Sequence, residues 1–149
     1  MKWDQDKSVK LSKFCVYFYM VLLVIICALA PWLFRWLIGV RNESMTKLPL
    51  FLITAYTAAV PAACALWDLR RMLLNISAGD VFIRQNVSIL RRLSWYCIAA
   101  GVICFVSTFY YPPFLYISAA AAFIGLILRV VKNIFAQAVE LKDENDYTI

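Results

Sequence analysis

Residues 14–34 read FCVYFYMVLLVIICALAPWLF, and no Asp, Glu, Lys or Arg interrupts them. A hydrocarbon layer about 30 Å thick takes about 20 apolar residues to cross as a helix, so this stretch alone spans a bilayer. Three more runs follow at residues 48–67, 93–109 and 114–128, equally free of charge. The second is long enough by itself, and the last two become so once their flanking turns are counted. The expected fold is all-α: an integral membrane four-helix bundle forming a single transmembrane domain over residues 1–149.

Composition supports this reading. The chain has 149 residues and is 64% hydrophobic, whereas soluble domains sit near 45–50% apolar. The excess lies in the four runs, which leaves no room for a separate soluble domain. The formal charge of +6 suggests nucleic acid at first sight. The basic residues, however, lie beside apolar segments, where they act as topology signals and headgroup contacts. Membrane lipids are therefore the expected partners, with no direct nucleic-acid binding. Cys15, Cys27, Cys64, Cys97 and Cys104 all fall in or at the edge of a span, form no CxxC pair and have no histidine to join them. They read as small packing residues, and no metal or cofactor is expected. Ala28-Leu29-Ala30 after Lys7, Lys10 and Lys13 imitates a signal-peptide cleavage site. Pro31 would then be the first mature residue, and the apolar run continues past it, so this is read as an uncleaved span.

Only three of the 15 basic residues, Arg35, Arg41 and Lys47, flank the first loop. The third loop has none, and the others lie near the termini or in the second loop. The positive-inside rule thus places both termini and the second loop in the cytoplasm. Trp32, Trp36, Tyr110, Tyr111 and Tyr116 would mark the outer interface, and Trp67, Trp95 and Tyr96 the inner one. Small residues recur four apart: Ala55, Ala59 and Ala63 on the second helix, Cys97 and Gly101 on the third, Ala121 and Gly125 on the fourth. Such faces let helices approach in lipid, either within one bundle or across a seam between two copies. Pro31 and Pro61 each remove an N–H and free the carbonyl four residues back, at Cys27 and Thr57.

The second loop has its own pattern. Leu69, Met72, Leu73 and Ile76 recur at helical spacing. Gly79 offers a helix stop, and Asp80 is a candidate N-cap for the next helix. Phe82, Val87, Leu90 and Leu93 carry an apolar stripe onward. A helical hairpin on the cytoplasmic side, between spans 2 and 3, is expected, with Arg84, Arg91 and Arg92 on its charged face. Residues 140–149, with Glu140, Asp143, Glu144 and Asp146, read as an acidic disordered tail; the alternative is a segment that folds onto the basic hairpin.

The run from Gly79 to Arg91 resembles the Gly-x-x-Phe-x-x-x-Asn-x-x-x-Leu-Arg signature of the DUF2975 family of small bacterial four-helix membrane proteins, through Gly79, Phe82, Asn86, Leu90 and Arg91. Ile83 departs from it where Ser or Thr is common, and Gln85 stands where Glu is frequent. The resemblance implies a multi-pass protein of the bacterial inner membrane. It also implies a neighbouring small helix-turn-helix regulator and hence membrane-linked control of transcription. Asn86 either holds the backbone of the turn or faces a partner. Arg84, Arg91 and Arg92 either anchor lipid phosphates or meet an acidic protein.

Three classes of function compete. Catalysis is not expected: there is no histidine, no paired carboxylates at a membrane face, and Ser88, Ser94 and Ser107 have no base nearby. An oligomeric small transporter or channel would have only Thr54, Tyr56, Thr57 and Thr108 as polar lining, with no ionisable residue in the spans. A regulatory or interaction module presenting a cytoplasmic surface is the preferred reading, with a cytoplasmic regulatory protein, or a second copy of the chain, as partner. The orientation is directly testable. In a variant stripped of native cysteines, a cysteine at Asn42 should react with an impermeant thiol reagent from outside intact cells. Labelling only after permeabilisation would reverse the topology.

Overall fold

The computed structural model describes residues 2–42 and 44–147, with side chains from Lys7 onward. It contains α1 (Lys2–Val40), α2 (Leu48–Ser77), α3 (Arg84–Ser107) and α4 (Phe114–Tyr147), with a short 3-10 turn at Met45–Lys47 leading into α2. The described residues contain no strand. All four helices are long and apolar enough to cross a membrane. They also overshoot it. α1 has 39 residues and α4 has 34, which at 1.5 Å per residue is about 58 and 51 Å against a hydrocarbon layer of about 30 Å. The termini and the 78–83 turn share one end of the molecule, called here the terminal end. The two remaining connections, 41–47 and 108–113, share the other.

Packing follows chain order. α1 lies on α2, α2 on α3 and α3 on α4, and α1 and α4 make no close backbone approach among the described residues. The bundle is therefore an open row with α3 near its middle. Ile89, Leu90 and Leu93 of α3 are buried between Ala65 and Met72 of α2 and Leu128, Val131 and Phe135 of α4.

The tightest seam is α3 against α4. A Cβ added to Gly101 would sit 3.4 Å from the Ser118 carbonyl and 3.6 Å from the Ala121 Cβ. One added to Gly125 would sit 3.2 Å from Ile98, 3.3 Å from the Ser94 carbonyl and 3.4 Å from the Cys97 Cβ. Gly101, Ala121 and Gly125 thus serve packing inside the chain. On α2, Ala55 and Ala59 are half-buried, but Ala63 is exposed and does not continue the packed face that the spacing suggested.

Several polar groups within the apolar runs are engaged internally. The Cys27 carbonyl freed by Pro31 accepts a hydrogen bond from the Tyr56 hydroxyl of α2 at 3.2 Å. Thr57 Oγ1 donates to the Ile53 carbonyl at 2.7 Å. Thr54 Oγ1 lies 2.6 Å from Ser107 Oγ and 2.7 Å from the Tyr110 hydroxyl, which donates to the Leu50 carbonyl. Beside this network Phe51, almost fully buried, packs its ring on Phe34, Tyr110, Tyr111 and Phe114. That aromatic cluster ties α1, α2, the 108–113 connection and α4 together at the end away from the termini.

The acidic segment differs from the expected disordered tail: α4 stays helical through Tyr147, and residues 148–149 lie outside the described residues. Its buried Val139 and an ion pair from Asp143 to Arg84 dock the segment on α3, which offsets its low apolar content. The α3–α4 seam yields a prediction. Gly125→Leu forces the two backbones apart and should destabilise the protein by about 1–3 kcal/mol. Leu126→Phe, on the neighbouring exposed face, should be nearly neutral. Thermal unfolding in detergent compares them, and equal losses would mean that the seam is not a close approach.

Candidate functional site

The terminal end is built on the turn between α2 and α3. Gly79 has φ +92°. Its N–H bonds to the Ile76 carbonyl, and the Asp80 N–H bonds to the Asn75 carbonyl at 3.0 Å. This paired closure of a helix end needs a left-handed residue after the cap, which glycine supplies without a Cβ clash. The start of α3 corrects the sequence reading. Its N-cap is Ile83, in extended conformation and without a side-chain cap bond, so Asp80 does not cap it. The position is the one at which Ile83 departs from the DUF2975-type signature.

Asn86, in the first turn of α3, is fully buried. Its Nδ2 donates to the Asp80 carbonyl at 3.0 Å and the Val81 carbonyl at 2.8 Å, and its Oδ1 accepts from Asn75 Nδ2 of α2 at 2.8 Å. One side chain thereby holds the turn and both helices. It faces the turn, so it offers nothing to a partner. Phe82 packs at a tilt against Phe135 of α4, with ring centroids 5.4 Å apart, and Leu90 lies in the core.

The three hairpin arginines have separate fates. Arg92 reaches back to Asp68 of α2: Nε donates to Oδ2 at 2.7 Å and Nη2 to Oδ1 at 3.1 Å. The carboxylate is buried while the guanidinium is half exposed, so this fork holds a carboxylate that would otherwise be stranded at the edge of the apolar layer. Arg84 pairs in the open with Asp143 at 2.9 Å. Arg91 is exposed. Sequence reading missed Asp68. Its signal is symmetry: in an antiparallel hairpin, residues at about equal distances from the turn face each other, as Asn75 does Asn86 and, within one residue, Asp68 does Arg92. At the same end Arg70 donates to the Tyr17 hydroxyl of α1 at 2.9 Å and lies over the rings of Tyr17 and Trp67, clamping α1 to α2.

Beyond the apolar runs, α3 and α4 enclose an open groove of about 540 Å³. Val87, Ala136 and Val139 supply apolar surface. Arg84 and Arg91 line it from α3, and Glu140, Asp143 and Glu144 from α4, with Tyr147 at its far end. A groove with an apolar strip and walls of opposite charge suits an amphipathic helix carrying both signs of charge. A second, smaller pocket lies between the same helices nearer the apolar layer, lined by Arg91, Ser94, Trp95, Arg129, Lys132 and Asn133.

Compared with known proteins, residues 4–149 match the family model described as "Protein of unknown function (DUF2975)". No curated protein and no solved structure matches the chain.

The Asp68–Arg92 pair is asymmetric, and its variants should show it. Arg92→Leu strands a buried carboxylate and should cost roughly 2–3 kcal/mol. Asp68→Leu leaves an arginine that reaches water and should cost about 1 kcal/mol. The double variant should be more stable than the sum of the two losses implies. Strict additivity in detergent unfolding would show that the pair does not form.

Proposed function

The chain belongs to the DUF2975 family, whose function is unknown, and from its geometry we propose that it is a membrane-anchored interaction module that docks a cytoplasmic regulatory protein and performs no catalysis. The observation that carries this reading is the groove on the overshooting helices. α4 runs on from Arg129 to Tyr147, about 28 Å past its apolar stretch at 1.5 Å per residue, and α2 and α3 extend beside it. A protein that needed only to sit in the bilayer would gain nothing from this projection.

The proposed setting is the bacterial inner membrane, with both termini and the 78–83 turn cytoplasmic. The asymmetry of Lys and Arg supports that orientation, and the groove then opens to the cytoplasm. Its paired Arg84 and Asp143 are exposed, so an incoming helix can exchange that surface ion pair for its own at little cost. The small helix-turn-helix regulator implied by the family resemblance is the first partner to test. The competing transporter or channel reading has less support, since Thr54, Tyr56, Thr57 and Thr108 are each hydrogen-bonded within the chain.

A photo-reactive residue at Ser88, on the groove rim, should cross-link in cells to one cytoplasmic protein. The same residue at Phe123, on the exposed apolar part of α4, should not. Arg91→Glu should reduce the Ser88 product several-fold at equal membrane level. A Ser88 yield no higher than the Phe123 background would sink the docking reading.

A further inference from the structure

The second pocket between α3 and α4 has a different chemistry from the groove. Arg91, Ser94 and Trp95 project from α3 at i, i+3 and i+4, and Arg129, Lys132 and Asn133 project from α4 with the same spacing. The two sets face each other across about 320 Å³, at the lower end of the range for small-ligand sites. Three cations line it, and no carboxylate does among the described residues. This contrasts with the other two hairpin arginines, each of which already holds an aspartate.

Arg129 is held in place. Its guanidinium carbon lies 4.8 Å from the centroid of the Trp95 ring, a stacking that is attractive by itself and leaves the N–H edge of the plane open. Asn133 adds an amide that can donate. Ser94 is buried, and its hydroxyl donates to the Arg91 carbonyl, so it supports the helix bearing Arg91. The pocket also sits at a defined depth. Arg129 directly follows the apolar run 114–128, and Trp95 stands at the start of the run 93–109. Tryptophan and basic side chains at that level meet lipid headgroups.

From these observations we propose that Arg91, Arg129, Lys132 and Asn133 form a binding site for a phosphate ester group. Arg91 also borders the acidic wall of the groove, but Arg129 and Lys132 share this pocket with no carboxylate among the described residues that line it, and like charges so gathered repel one another. A tetrahedral oxyanion relieves this, because arginine forks bind its oxygens in pairs while lysine adds a point charge. The phosphate can belong to an anionic membrane lipid or to a soluble ester. The proposal does not depend on the docking groove, and its test uses Arg129 and Lys132, which do not line that groove.

Purified protein in nanodiscs should retain phosphatidylglycerol over phosphatidylcholine by native mass spectrometry. Arg129→Gln/Lys132→Gln should weaken that retention roughly tenfold, and Lys10→Gln/Lys13→Gln, an equal loss of charge elsewhere, should change it little. In a second arm, glycerol phosphate is added to protein in neutral detergent. A rise in Tm that the Arg129/Lys132 variant lacks would assign the site to soluble esters, and selective lipid retention without it would assign it to headgroups. If the double variant does not fold, Lys132→Met against Lys13→Met makes the same comparison. Equal losses in the site and control variants, or binding of neither probe, would overturn the proposal.

Discussion

Inside an apolar slab there is no water to complete a hydrogen bond, so each polar group that enters must find its partner within the chain. Much of the structure answers to this constraint. Helices satisfy the backbone. Where Pro31 breaks the pattern, a tyrosine from the next helix takes up the released carbonyl. The hydroxyls of Thr54, Ser107 and Tyr110 gather into one network with the Leu50 and Ile103 carbonyls. Asp68, the carboxylate of α2, is buried with Arg92 crossing over from α3 to hold it. Most of these contacts also fix which helices lie together, since they join α1 to α2, α2 to α3, and α2 to the 108–113 connection.

The same requirement organises the terminal end. The carboxylates there select among the basic side chains: Asp68 takes Arg92 and Asp143 takes Arg84, and Arg91 stands between the groove's acidic wall and Arg129 and Lys132. Two surfaces of different character result from one pair of helices. The outer groove carries both signs of charge around apolar surface, as a protein helix would require. The inner pocket carries three basic side chains with Ser94, Trp95 and Asn133 and lies beside the ends of two apolar runs. Asn86, which the sequence marks out, works beneath both by fixing the turn from which α3 departs.

The α3–α4 seam makes this possible. Gly101 and Gly125 bring two backbones close enough that side chains from both helices meet beyond the seam, and the acidic turns of α4 are carried onto the first turns of α3. With larger residues at these positions the helices would splay, and Asp143 would not reach Arg84.

Much of the fold is legible in the sequence because it follows from local composition. Charge-free runs of spanning length specify four membrane helices, Gly79 specifies the end of α2, and Pro31 specifies which carbonyl needs an outside donor. Small residues at spacing four mark the α3–α4 seam, because backbone approach depends only on the absence of a side chain. Pairing across helices was decided by the tertiary structure, since it depends on register. The partner of Asp68, the donor to the Cys27 carbonyl, the burial of Asn86 and the meeting of Arg91 with Arg129 and Lys132 all depend on which faces turn toward each other. The acidic segment shows the difference most clearly: its composition alone predicts disorder, and it is helical because Val139 and Asp143 find α3 alongside. By itself the sequence determined which stretches are long and apolar enough to cross a membrane and where α2 ends, through hydrophobicity and backbone chemistry. The structure alone decided which charges are paired within the chain, because that follows from distances between residues far apart in the sequence.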